Sequence, residues 1–148
     1  MVRHSLIALI FYGILTATAA PQEKLAQNVS GYWKSKTAVY QVFQKGEDVL
    51  ALYDKPDQEQ RDSGIKPGDV AFTGTIVGSI FSGDFYHKFP LDMQRKCPAN
   101  WYTATPLYLT LSADGNTMEG DIMSSYEEDN CTITDRRFDH FKLERIKS

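Results

Sequence analysis

Few side chains in this 148-residue sequence are equipped for chemistry. Past His4 the histidines are His87 and His140, and the two cysteines are Cys97 and Cys131. Neither histidine has a second His or a Cys at ligand spacing, so no metal site is expected. A general base at position 87 needs a nucleophile or an orienting carboxylate, and no nucleophile elbow, zincin or phosphate-loop motif supplies one. Glu127-Glu128-Asp129 sets three carboxylates side by side, the composition of a solvated turn more than of an acid–base dyad. The expectation is a protein that is not an enzyme and carries no cofactor. What remains is aromatic. Tyr53, Phe85, His87, Phe89, Trp101 and Tyr126, with Tyr86 and Tyr102 beside them, offer flat apolar surfaces for a small apolar or aromatic ligand. The same residues also suit a plug of packed rings.

The elements that position them read as strands. Leu107, Leu109 and Leu111 alternate with Tyr108, Thr110 and Ser112, and Ala113-Asp114-Gly115-Asn116 reverses the chain. Met118, Gly120 and Ile122 then alternate with Glu119 and Asp121, which makes the pair a β-hairpin. Phe141, Leu143 and Arg145 share one face of a final strand, opposite His140, Lys142 and Glu144. Upstream, Gly31-Tyr32-Trp33 opens a first strand, residues 38–44 and 49–53 form two more, and 69–77 and 84–88 resume the alternation. In the second and third strands both faces are apolar, so their inward sides stay open. Residues 54–68 and 89–104 read as long loops, and no helix is expected. The count is eight strands.

Arg3 and His4, an apolar run over 6–15 and Thr16-Ala17-Thr18-Ala19-Ala20 follow the order of a secretory signal peptide, with cleavage expected after Ala19. The expected organisation is a signal peptide at 1–19, an arm at 20–30 and one barrel domain at 31–148. No later run approaches membrane length, so no membrane span is expected after cleavage. In an exported, secreted or periplasmic chain an even pair of cysteines reads as one disulfide, Cys97–Cys131, contributing roughly 3 to 4 kcal/mol. A net charge of −3 argues against nucleic acid and anionic membranes as partners. Asn28-Val29-Ser30 and Asn130-Cys131-Thr132 match the glycosylation sequon, which matters only in a eukaryotic secretory pathway.

Connection parity ties these readings together. In an all-β, eight-stranded up-and-down antiparallel β-barrel, odd and even connections lie at opposite ends. The even ones are short, whereas the third, fifth and seventh are long and hold Cys97 and Cys131 at the same end. Lys88, Arg95 and Lys96 on one long loop face Glu127, Glu128 and Asp129 on another, as a paired or polarised rim.

Gly31, Trp33 and Arg145 meet at the tightly sewn end of such a barrel, where an arginine and an indole stack. This resembles the calycins, the superfamily of lipocalins, fatty-acid-binding proteins and avidins, in which a G-x-W on the first strand packs against a basic residue of the last. The resemblance implies a calycin-like barrel with structural roles for Gly31, Trp33 and Arg145. Departures are clear: the first loop is only Lys36-Thr37, and the avidin ligand residues are unmatched beyond Ser35, so no family ligand carries over. The expected function is binding of a small hydrophobic ligand at the loop-rich end. The rival is a filled barrel that binds or inhibits a protein partner through Arg95, Lys96 and Trp101.

Overall fold

The computed structural model describes residues 27–98, 102–127 and 131–147, with side chains omitted at 102–103, 125–127 and 133–135. Eight antiparallel strands close into a barrel in chain order: β1 (Gly31–Lys34), β2 (Ala38–Lys45), β3 (Asp48–Pro56), β4 (Val70–Val77), β5 (Ile80–Lys88), β6 (Tyr102–Leu111), β7 (Thr117–Glu127) and β8 (Ile133–Arg145). The long loops are not wholly irregular. They hold α1 (Gln58–Asp62) and α2 (Leu91–Lys96), which corrects the expectation of no helix. Both are too short to show an apolar period, the signal that normally betrays a helix. The trace of α1 is a capping box: Asp57 accepts from the Gln60 N–H (2.9 Å) and the Gln60 side chain accepts from the Asp57 N–H (3.1 Å).

Chain reversal at the tight end relies on left-handed backbone at Gly46, Gly78 and Gly115. Beside Gly115, hydrogen bonds from Ser112 and Asn116 pull the Asp114 carboxyl down to about 2. Strand closeness is set elsewhere, by Gly74 of β4 opposite Gly83 of β5. A Cβ on Gly74 would lie 2.3 Å from the Ser82 carbonyl oxygen and 2.8 Å from the Phe81 ring. The glycine pair makes the groove in which that ring lies.

The tight pole is sealed from two sides. Val29, fully buried, brings the arm under the barrel, where the Trp33 indole N–H donates to its carbonyl at 2.8 Å. The Arg145 guanidinium lies 4.5 Å from the centre of the Trp33 ring and donates to the carbonyls of Asn28, Ser30 and Gly115. One cation thus joins the arm, β8 and the β6–β7 turn.

Above this seal the interior is filled with rings. Tyr40 packs on Tyr53 (5.3 Å between centroids) and on Phe72 (5.7 Å), Phe72 on Phe81 (5.6 Å), and Phe85 on Phe141 (5.5 Å). Val42, Val49, Ala51, Leu107, Leu109, Leu111, Met118 and Leu143 occupy the gaps. The ambiguous strands resolve accordingly: Tyr40 and Val42, with Val49, Ala51 and Tyr53, point inward, while Phe43 and Leu50 pair across the outer surface. Burial pushes the Tyr40 hydroxyl up to about 12, against hydrogen bonding from Ser35.

Candidate functional site

The ring stack ends at Tyr53, Phe85 and Phe141, and a cavity of about 560 Å³ opens above it at the loop-rich pole. Tyr53, Phe85 and Thr105 form its floor, Ile122, Met123 and Ser124 of β7 one wall, and His87, Phe89 and Met93 another. Ile65, buried, comes in from the loop after α1. The position follows from the strands: Phe85 and His87 are two apart on β5, so alternation points both inward, one below and one above. The rings of His87 and Phe89 meet edge to face at 5.6 Å. Burial holds the His87 imidazole below its ordinary value, so the neutral form faces the cavity.

Most hydrogen-bonding side chains on this wall are already engaged with the protein. The Tyr53 hydroxyl donates to the Tyr86 carbonyl (3.3 Å), Thr105 to the Phe85 carbonyl (3.4 Å) and Ser63 to the Glu59 carbonyl (3.1 Å). Asp57 and Gln60 cap α1. Lys88 donates to Asp69 (2.9 Å) and to the Gly64 carbonyl (3.0 Å). Burial raises the Asp69 carboxyl, but the Lys88 hydrogen bond and charge and the Lys66 N–H together hold it below its ordinary value.

The rim is stitched across loops. Gln94 of α2 donates to the carbonyls of Ser63 (2.8 Å) and Phe89, joining the fifth connection to the third. The Cys97–Cys131 disulfide, with 5.4 Å between Cα atoms, joins the fifth to the seventh. Both cysteines therefore lie at one pole, as connection parity requires.

The chain matches no family model, no curated protein and no solved structure.

Of the residues singled out from sequence, the structure brings Tyr53, Phe85, His87 and Phe89 together on this cavity. Trp101 lies outside the described residues, as do Glu128, Asp129 and Asn130, and the side chains of Tyr102, Glu127 and Tyr126 are not described. Tyr86 turns the other way, its hydroxyl 3.2 Å from that of Thr73 on the outer face. Lys88 pairs with Asp69; the acidic run at 127–129 expected to face it lies outside the described side chains. His140 is exposed, 3.9 Å from Glu119. Sequence reasoning missed Ile65, Met93, Thr105 and Ile122. Only Thr105 and Ile122 left a trace, as inward positions in register with Leu107 and Gly120.

Proposed function

We propose that this chain is a calycin-like, exported, non-enzymatic β-barrel that binds a small apolar or aromatic molecule in the cavity above Tyr53, Phe85 and Phe141. The supporting observation is a cavity of about 560 Å³ with a floor of packed rings and walls whose polar side chains are mostly committed to the protein's own hydrogen bonds. The volume falls in the range of small-molecule sites, roughly 300 to 1,000 Å³. A ligand there gains by leaving water and by ring contact, while Glu59, Asp92 and Ser124, which also line the cavity, are polar groups that could meet its substituents. Gly31, Trp33 and Arg145 support the calycin likeness, and the N-terminal pattern with a disulfide supports export.

The test is native mass spectrometry of freshly purified protein for carried-over ligand, followed by thermal shift against apolar and aromatic libraries. A carried or added ligand should raise the melting temperature, and Ile122→Trp, which fills the cavity from the β7 wall, should remove that shift while the fold persists. Stabilisation that survives Ile122→Trp, or a library in which nothing stabilises the parent, would overturn the assignment.

A further inference from the structure

The barrel wall is incomplete beside its first strand. β1 has four residues and pairs with β8 only at Trp33 with Arg145 and Lys34 with Glu144, after which the chain turns through residues 35–37 into β2. The next residues of β8, His140 to Lys142, are therefore bordered by that turn and not by a strand. A groove of about 510 Å³ lies between the two. It shares only Thr37 with the cavity above Phe85, and its one apolar lining side chain is Phe141, which alternation turns inward.

Charge sets this groove apart. Lys34, Lys36 and Lys142 line it with a single carboxylate, Glu144, so that with His140 neutral it carries a net positive charge in a chain of net −3. Glu144 is shared, one oxygen 3.4 Å from the Lys34 ammonium and the other 3.3 Å from that of Lys142. Hydrogen bonding from Lys142 and then Lys34 holds its carboxyl below the ordinary value. Lys36 has no ion pair among the described residues, and His140 lies 3.9 Å from Glu119. Backbone donors add to the cations. Arg145 N–H bonds to the Asn116 carbonyl on the β7 side and Ile146 N–H to the Tyr32 carbonyl on the β1 side, so by alternation the N–H groups of His140 and Lys142 point toward the groove.

We propose that this seam binds the phosphate group of a small soluble molecule. Three ammonium groups against one carboxylate leave two positive charges, and a phosphate monoester carries about −1.5 to −2 at neutral pH. A carboxylate ligand matches less well, since Glu144 already supplies one such charge. Lysine binds phosphate as a point charge and can close on it from both sides of the groove. A free ester is favoured over a lipid headgroup, because the net charge of −3 opposes approach to an anionic surface. The site lies at the β1–β8 seam and stands or falls apart from the ligand reading of the cavity.

The experiment is titration of the isotope-labelled, disulfide-bonded protein with glycerol phosphate, which has no apolar part to enter the cavity, read as amide chemical shifts. Saturating shifts should be confined to residues 34–37 and 140–144. Lys36→Gln with Lys142→Gln should weaken binding about tenfold, whereas Lys45→Gln, at the other end of β2 and exposed, removes a charge of the same sign and should leave it unchanged. Glu144→Gln keeps an acceptor for both lysines but removes the competing charge, so it should tighten binding about threefold. A second arm offers vesicles of phosphatidic acid in phosphatidylcholine, to which the protein should not bind. Shifts that fail to saturate or fall elsewhere, equal losses in the Lys45 variant, weaker binding by Glu144→Gln, or binding to the vesicles alone would each overturn the proposal.

Discussion

Two side chains show how much of this barrel depends on single contacts. Arg145 donates to three carbonyls on two segments far apart in sequence while its guanidinium covers Trp33. Truncation to alanine should cost about 2 to 4 kcal/mol, since charged hydrogen bonds and the packing of the stem go together. Arg145→Lys should recover less than half of that, because one ammonium cannot span carbonyls that a planar fork reaches. Urea melts of the three proteins measure both effects, and a lysine variant as stable as the parent would show that charge alone is at work. His87 is the residue through which pH acts near neutrality. Burial keeps its imidazole below the ordinary 6.5, so on acidification the unfolded chain takes up this proton first. The stability tied to the neutral ring is complete above 6.5 and is lost as pH falls through the folded value. Denaturation midpoints should therefore decline over the interval that opens below pH 6.5, and His87→Phe should flatten that interval. Below it, loss should continue in both proteins, because Asp69 and Glu144 sit under their ordinary values of 3.8 and 4.5 and their stability goes as they are protonated.

At the scale of elements, the strands were legible because each carries its own period and ends at a turn the backbone demands. Leu107, Leu109 and Leu111 point inward as alternation requires, and Gly115 takes the left-handed turn between β6 and β7. Alternation fails as a guide where both faces are apolar. Nothing local distinguishes Tyr40 from Phe43 or Ala51 from Leu50; neighbouring strands decide, by leaving Phe43 and Leu50 outside. The helices were illegible for the opposite reason, having no buried face, so that only the Asp57–Gln60 box marked one of them. The glycine pair between β4 and β5 belongs to this scale too. Gly74 gives up its side chain so that two strands and the Phe81 ring share one space. Gly74→Ala should cost about 3 kcal/mol or more, since backbone blocks the new methyl, whereas Thr75→Ala on the outer face should stay within about 0.5 kcal/mol. Chemical denaturation of the two variants side by side checks the contrast; equal costs would mean that the sheet yields at Gly74.

Taken as one body, the barrel divides its labour between poles, and the sequence already held the asymmetry in its loop lengths. What it could not hold was the level at which the ring stack stops, because that level depends on Phe141 of β8 meeting Phe85 of β5 across the interior. The tight pole carries the packing and the loop-rich pole carries the opening, so damage to the second should leave the first intact. The disulfide provides the means to separate them. Replacing both Cys97 and Cys131 by serine frees a loop spanning 34 residues, for which chain entropy gives a loss of roughly 3 to 4 kcal/mol. Lys88 and Gln94 still join the third and fifth connections, whereas the disulfide is the covalent tie between α2's connection and that of β7 and β8. The double variant should therefore melt earlier, keep the near-ultraviolet dichroism of Tyr40, Tyr53, Phe72 and Trp33, and lose amide protection first along residues 123–127 and 133–139. Hydrogen exchange resolves that order. Uniform loss of protection through β2 to β4 would mean instead that the clamp holds the whole barrel, and that the two poles fold as a single cooperative unit.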